Sequence, residues 1–129
     1  MRREPGSPAE WLRYARSDLA LARKYGLDDV LLETLCFHAQ QSAEKSIKSV
    51  LVKEGVPFPR VHSIERLIDL LPPSIPATPN LMAAARLTAY GTTFRYPGIE
   101  EPISQEQYHE ALRLAEEVFA WAENIIGSE

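Results

Sequence analysis

The stretch LCFHAQQSAEKSIKSVLVKEG, from Leu35 to Gly55, decides the fold. It has no proline, and apolar residues recur every three or four positions, as one buried face of a helix requires. We predict a helix from about Asp28 to Glu54, with Gly55 as its stop. At about 100° per residue, one side of this helix carries the predicted core positions Leu32, Cys36, Ala39, Ala43, Ile47 and Val50.

The opposite side of this helix carries a polar arc, which consists of His38, Gln41, Ser42, Lys45 and Ser49. Solvent faces are usually rich in Glu and Lys, so this composition allows two interpretations. The arc is either a solvated surface, or a seam against another chain or a ligand. The composition favours the seam, because these groups form hydrogen bonds without bringing an unpaired charge into a contact. Lys45 would then supply one charge suited to a phosphate or a carboxylate.

Prolines separate the remaining helical segments. No segment alternates with period two for long enough to predict a strand. We therefore predict an all-α, up-and-down helical bundle of four long helices plus one short helix, in a single domain over residues 1–129 with a flexible tail at 1–6. Besides the central helix, the predicted helices run from Pro8 to about Tyr25, from about Ser63 to Leu71, from about Asn80 to Phe94, and onward from Ser104, which forms a capping box with Gln107.

Composition and charge narrow the class of protein. The chain has 129 residues, a net charge of −4 and a single cysteine. Nucleic acid is normally bound through a basic surplus, so any such contact requires a local basic patch. We expect a cytoplasmic protein with no membrane or DNA partner, since no apolar run could span a bilayer and no secretory signal is evident. Cys36 lies on the core side and is predicted to be buried.

We predict no metal and no cofactor. The three histidines, His38, His62 and His109, fall in separate segments without the spacing of metal ligands. No glycine-rich phosphate loop is present. Asp18 lies at the edge of the first helix's apolar stripe, where a nearby arginine or lysine is a candidate partner.

A second polar group lies in RLTAYGTTFRYPG, residues 86–98, and comprises Tyr90, Arg95 and Tyr96. The planar guanidinium of Arg95 suits a phosphate or a carboxylate. The tyrosine rings offer faces on which a base could stack. The alternative is structural, with Tyr90 in the core and Arg95 paired with a local acid such as Glu100.

Three segments together resemble the HEPN domain family (higher eukaryotes and prokaryotes nucleotide-binding), in its small prokaryotic stand-alone type. They are CFHAQQSAEKSIKSVL (36–51), GVPFPRVHSI (55–64) and LTAYGTTFRYPG (87–98). The resemblance implies a helical bundle that is commonly a homodimer. It also implies a separate minimal nucleotidyltransferase as partner, in an arrangement similar to a toxin–antitoxin pair.

Many members of that family are metal-independent ribonucleases, which carry an arginine followed, after four to six residues, by a histidine. In this chain the corresponding positions after Arg95 are Glu100, Glu101 and Pro102, and the next histidine is His109. The nuclease motif is therefore absent, and a non-catalytic protein is the preferred interpretation. If the chain is a ribonuclease, His38 and Arg95 are the candidate catalytic residues.

The sequence and the resemblance together predict a site for a nucleotide or an RNA phosphate. In this hypothesis Lys45 and Arg95 hold phosphate, while His38 and Gln41 supply directional hydrogen bonds. Tyr90 or Tyr96 stacks on a base. Two alternatives stay open: a metal-independent endoribonuclease acting as a homodimer, and a purely structural dimerisation module.

Overall fold

The computed structural model describes residues 6–91 and 102–127, in which the chain forms helices and no strand. The predicted all-α helical bundle is confirmed. None of the described helices has the length and apolar character needed to span a bilayer. In chain order the elements are α1 (Pro8–Ala22), α2 (Leu32–Lys53), α3 (Ile64–Asp69), α4 (Pro79–Ala83), the 3₁₀-helix η1 (Ala84–Gly91) and α5 (Gln105–Ile126).

Side-chain caps fix where the helices begin. The hydroxyl of Ser7 accepts the backbone N–H of Glu10 at 3.1 Å, at the start of α1. At α5 the predicted capping box is present: Ser104 Oγ accepts the N–H of Gln107 at 3.1 Å, and the Gln107 side chain accepts the N–H of Ser104 at 2.9 Å. Such caps satisfy backbone donors that have no partner within the helix.

The connection between α1 and α2 is longer than the sequence predicts. Helix α1 ends at Ala22 rather than near Tyr25, and α2 begins at Leu32 rather than near Asp28. The late start of α2 has a local cause, since Asp29 has a φ of 66°. This left-handed conformation cannot continue a right-handed helix. Tyr25 instead stacks on Tyr108 of α5, with ring centroids 5.5 Å apart.

The third and fourth predicted helices are shorter than expected. Helix α3 is six residues long. The predicted fourth helix is the five-residue α4 followed by η1, and its expected end at residues 92–94 lies outside the described residues. Leu81, Ala84 and Leu87 are all buried and recur every three positions. Leu81 belongs to α4, whereas Ala84 and Leu87 belong to η1, where three residues per turn place them in one line against the core.

Helix α2 is the centre of the molecule and packs against α1, α5, η1 and α3. The predicted core positions from Cys36 to Val50 are completely buried, while Leu32 is partly buried. Alanines at these positions leave room for neighbouring helices to approach closely. The facing stripes come from α1 and α5 and include Leu12, Ala15, Leu19, Ala22, Tyr108, Ala111, Leu114, Ala115, Val118, Ala122 and Ile126.

Candidate functional site

Much of the polar arc of α2 is covered by the protein itself. Ser42 and Ser49 are completely buried. The Ser42 hydroxyl donates to the backbone carbonyl of Ala15 at 2.9 Å, and that of Ser49 donates to the carbonyl of Ser46 at 2.6 Å. These two members of the arc are therefore satisfied inside the chain. For the two serines both interpretations of the arc are wrong, because they contact neither solvent nor a second molecule. They are buried inside the chain itself, where α1 packs against α2.

Asp18 of α1 joins the two most reactive members of the arc. Its carboxylate accepts a hydrogen bond from His38 Nδ1 at 3.0 Å and another from Lys45 Nζ at 2.7 Å. Asp18 is buried, whereas the His38 and Lys45 side chains are 25% and 22% exposed. A carboxylate can only accept, so Nδ1 of His38 carries the proton and Nε2 is free to accept one. Asp18 therefore fixes both the orientation and the tautomer of His38.

An exposed aromatic ring borders this cluster. The Tyr14 side chain, one turn before Asp18 on α1, is 55% exposed. Lys45 Nζ and the guanidinium carbon of Arg13 each lie 5.9 Å from the centre of its ring. The Asp18–His38–Lys45 cluster with Tyr14 thus combines a flat apolar face, a hydrogen-bonding imidazole and an ammonium group. It can contact a base and a phosphate together, although Asp18 already neutralises Lys45.

Gln41 belongs to a different network on the other flank of α2. Its amide donates to Gln40 Oε1 at 2.7 Å. Gln40 Nε2 in turn donates to Glu44 at 3.0 Å and to the backbone carbonyl of His62 at 3.3 Å. A Cβ added at Gly91 would lie 3.0 Å from the Gln40 side chain, so the end of η1 presses directly on this amide.

Glu44 is the buried charge at the centre of this second network. Its carboxylate accepts from Lys48 Nζ at 2.8 Å and from His62 Nδ1 at 3.1 Å. Glu44 and Lys48 are both buried, and the ammonium lies 5.4 Å from the ring centres of both Trp11 and Phe58. Such pairing is what allows two charges to remain inside a protein.

The structure brings together some of the predicted site residues and separates others. His38 and Lys45 share one carboxylate, while Gln41 turns to Gln40. Tyr90 packs against the core, where burial raises the pKa of its hydroxyl, with smaller contributions from Cys36 and Glu110. Arg95 and Tyr96 lie outside the described residues, so the predicted groove of six side chains stays a prediction.

Sequence reasoning missed the residues that organise both clusters. It places Asp18 at the edge of a stripe with a lysine or arginine as candidate partner, and Lys45 is that partner; what it missed is that Asp18 also holds His38. For the second cluster, the signal was the spacing of Gln40, Glu44 and Lys48 at intervals of four. Residues at that spacing lie on one face of a helix and interact. The contribution of His62 could not be read from spacing, because it is folded back from a loop.

No three His, Cys, Asp or Glu side chains are grouped to hold a metal ion within residues 6–91 and 102–127. The chain is an all-helical bundle whose central helix has polar clusters on both flanks. Comparison with known proteins names the family: the HEPN domain model matches residues 8–125, and the chain belongs to the HEPN domain family.

Two solved structures resemble this chain over nearly its whole length. The first is TT1696 from Thermus thermophilus, which has 31% sequence identity and a TM-score of 0.82, with 93% of this chain and 98% of that chain covered. The second is ST0689, an archaeal HEPN homologue, which has 28% identity and a TM-score of 0.70, with 94% and 98% covered. No curated protein matches the sequence.

Proposed function

We propose that this HEPN-domain protein binds a nucleotide or an RNA phosphate on its α1–α2 face and acts with a separate minimal nucleotidyltransferase, in a system similar to a toxin–antitoxin pair. The observation that supports the proposal is the Asp18–His38–Lys45 cluster beside the exposed Tyr14 ring. The ring stacks on a base, while His38 and Lys45 contact the sugar-phosphate part. Binding then needs little reorganisation, because Asp18 already holds both side chains in place.

Isothermal titration calorimetry with a panel of nucleoside mono-, di- and triphosphates tests this site. We expect Tyr14→Ala and His38→Ala to weaken binding about tenfold or more, the usual scale for the loss of one stacking or charged hydrogen-bonding group. Lys24→Ala is the matched control, since Lys24 is an exposed cation at the other end of α1. Arg95→Ala tests the part of the predicted site that lies outside the described residues.

The outcome that would contradict the proposed site is equal affinity in all four variants. Tyr14 is exposed, so its truncation should leave the fold intact. Unchanged binding in Tyr14→Ala would therefore mean that the ring does not contact the ligand. Circular dichroism melts of each variant separate lost binding from lost structure. If His38→Ala weakens binding and Tyr14→Ala does not, the result supports the phosphate contact and excludes stacking on Tyr14.

The partner is tested separately from the ligand. An adjacent reading frame encoding a small nucleotidyltransferase, and co-purification of its product with this chain, are the expected results. A gene neighbourhood without such a frame would remove the paired-system part of the proposal and leave the nucleotide site standing. The single, buried cysteine is consistent with a reducing cytoplasmic setting, which we propose as the compartment.

A second candidate function is that of a metal-independent endoribonuclease, and the Asp18–His38 pair favours it. A carboxylate that orients a neutral imidazole is the arrangement of a general base. In this mechanism His38 Nε2 removes the proton from a ribose 2′-hydroxyl, whose oxygen attacks the adjacent phosphorus. The 5′-oxygen leaves and takes a proton from a second group. We propose Arg95 as the residue that neutralises the developing charge.

RNA cleavage in the presence of EDTA tests this second candidate. His38→Gln should abolish cleavage, and Asp18→Asn should reduce it by a smaller factor because the imidazole remains but is no longer oriented. Cleavage that is retained in His38→Gln would exclude this mechanism. If the protein binds no nucleotide and neither binds nor cleaves RNA, the third interpretation remains, which is a purely structural dimerisation module.

A further inference from the structure

A cleft of about 380 Å³ lies between the start of α4 and the second half of α5. Residues at the start of α4 line one side, and residues of α5 between Glu117 and Asn124 line the other. None of the described residues that line it belongs to α1 or α2, so the cleft is separate from the Asp18–His38–Lys45 cluster. Its size suits a small ligand, since sites for such ligands measure about 300–1,000 Å³.

The floor of the cleft is apolar and includes one aromatic ring. Leu81 and Val118 are buried, and Trp121 is partly buried and packs against the core. The indole N–H of Trp121 donates to no group in the described part of the chain, and it is not fully buried. The cleft therefore offers an apolar surface and a hydrogen-bond donor that is available to a ligand.

Uncharged polar groups surround this floor. The chain has two asparagines, Asn80 and Asn124, and both line the cleft. They are exposed, and neither carboxamide has a hydrogen-bond partner among residues 6–91 and 102–127. The hydroxyl of Thr78 accepts the N–H of Leu81 at 3.1 Å and keeps its own O–H to donate. Because a carboxamide both donates and accepts, the rim can bind a ligand that does the same.

The charges at the cleft favour an uncharged ligand. Glu117 is the one charged side chain among the described residues that line it, and Arg113 pairs with its carboxylate at 3.1 Å. A phosphate or a carboxylate would therefore find no cation in the lining. A cationic ligand would gain little, because it would have to displace Arg113 from an existing ion pair.

We infer that the α4–α5 cleft is a second binding site, and that its ligand is an uncharged saccharide of one or two pyranose units. The C–H face of a pyranose ring is apolar and packs on Trp121 and Leu81. Each ring hydroxyl both donates and accepts, so neighbouring hydroxyls pair with the carboxamides of Asn80 and Asn124. An apolar lining with a few placed polar groups is the usual composition of a small-molecule site. The inference goes beyond the proposed function, whose ligand is charged and lies on another face.

Intrinsic fluorescence tests the inference, because the chain has two tryptophans and only Trp121 lines the cleft. The variant Trp11→Phe leaves Trp121 as the single indole. It is titrated with methyl α-D-glucopyranoside, methyl α-D-mannopyranoside, N-acetyl-D-glucosamine and maltose. We expect a saturable change in the emission of Trp121 with at least one of these sugars. The reciprocal variant Trp121→Phe leaves Trp11 as the reporter, and its emission should not respond.

Substitution of the asparagines tests the polar contacts in the same Trp11→Phe background. Asn80→Ala and Asn124→Ala should each weaken binding about tenfold, the scale for the loss of one or two hydrogen bonds. Gln105→Ala is the matched control, since it removes an exposed carboxamide from the other end of α5 and should leave the affinity unchanged. Both asparagines are exposed and unpaired within the described residues, so these variants should fold, which thermal melts check.

Four results would overturn the inference. They are no saturable response of Trp121 to any of the sugars, a response of Trp11 in the Trp121→Phe protein, an equal loss of affinity in the Gln105→Ala control, and a response to spermidine as strong as that to the sugars. The last would assign the cleft to an organic cation.

The failure of this inference and that of the proposed function are distinguishable. Nucleotide binding is measured by calorimetry and depends on Tyr14 and His38, which do not line the cleft. Asn124→Ala should therefore keep any nucleotide binding, and His38→Ala should keep the response of Trp121 to sugar. If nucleoside triphosphates displace the sugar, the cleft is not a separate site and the inference is wrong.

Discussion

Two carboxylates, those of Asp18 and Glu44, allow charged side chains to lie next to the apolar core. Asp18 and Glu44 each divide their two oxygens between a lysine and the Nδ1 of a histidine. The lysine neutralises the carboxylate, and the carboxylate fixes the imidazole. Pairing of this kind lets a charged group stay beside a core whose other members are apolar. The same arrangement of carboxylate, lysine and histidine therefore occurs on both flanks of α2. The histidine of the Glu44 cluster, His62, is largely exposed, whereas His38 of the Asp18 cluster is mostly covered.

Replacement of Asp18 by asparagine should be costly although it changes little in shape. The neutral amide would leave the Lys45 ammonium, which is 22% exposed, without its counter-charge. We expect the free energy of unfolding in urea to fall by about 1–3 kcal/mol, the range for hydrogen bonds to charged groups. The matched control is Glu123→Gln, which breaks the exposed ion pair with Arg16 and should cost less than about 1 kcal/mol. Equal losses would show that the buried position of Asp18 adds nothing.

The single thiol is predicted to be inert in the folded protein. Cys36 is completely buried, and burial, aided by the charge of Glu33, raises its pKa to about 12. Because only the thiolate is nucleophilic, reaction with a disulfide reagent at pH 8 should proceed at the rate of unfolding and become rapid in denaturant. A fast reaction without denaturant would show that the packing between α2 and its neighbours opens.

The same pKa gives a dependence of stability on pH. The thiol's pKa is raised in the folded state, so its contribution is fully present below the pKa of the unfolded thiol, near 9, and is lost as the pH rises toward 12. Unfolding in urea between pH 8 and 10.5 should show a falling free energy, with at most about 1.4 kcal/mol per pH unit from this one proton. Cys36→Ala should reduce the slope, whatever its effect on the free energy itself. An unchanged slope would assign the decline to tyrosines such as Tyr108, whose pKa is also raised by burial.

At the scale of helices, the sequence predicts existence and type more reliably than ends. The caps at Ser7 and Ser104 are local interactions, and the capping box predicted at Ser104 is present. The positive φ of Asp29 is not signalled by residue type in the way that a glycine would signal it. The 3₁₀ geometry of η1 depends on how its apolar residues meet α2 and α3, which is tertiary information.

The contact between η1 and α2 makes Gly91 a sensitive position. A Cβ there would lie 3.0 Å from Cδ of Gln40, whose amide is already held by Gln41, Glu44 and the carbonyl of His62. Gly91→Ala should therefore displace a hydrogen-bonded side chain and lower the free energy of unfolding by about 1–3 kcal/mol, as overpacking does.

A double-mutant cycle with Gln40→Ala checks this explanation. Truncating Gln40 removes the atoms that the new methyl would meet, so Gly91→Ala should cost less in that background, with a coupling of about 1 kcal/mol or more. Additive effects would mean that the cost of Gly91→Ala arises from backbone conformation instead. The measurement is urea unfolding of the four proteins under one set of conditions.

At the scale of the whole molecule, the bundle could be predicted because its signals are periodic and local. Apolar stripes and prolines define the helices without knowledge of their neighbours. The sites could not be predicted in the same way, because each cluster joins residues from two elements. The face of one helix identifies His38 and Lys45, but Asp18 is 20 positions from His38 in sequence. Its role depends on how α1 lies across α2.

Several exposed apolar residues lie at one end of α1 and in the connection that follows it. They are Leu21, Tyr25, Leu27, Val30 and Leu31, and we predict that they form one apolar surface. An exposed apolar group of this kind is typical of protein contacts. We expect a homodimer through this surface, and Leu21→Glu/Leu31→Glu should be monomeric at micromolar concentration in light scattering. Met82 is also exposed but lies on α4, so Met82→Glu is the control and should remain dimeric. A dimer that persists in the double variant would place the contact elsewhere, because two buried carboxylates without partners would not be tolerated in an apolar interface.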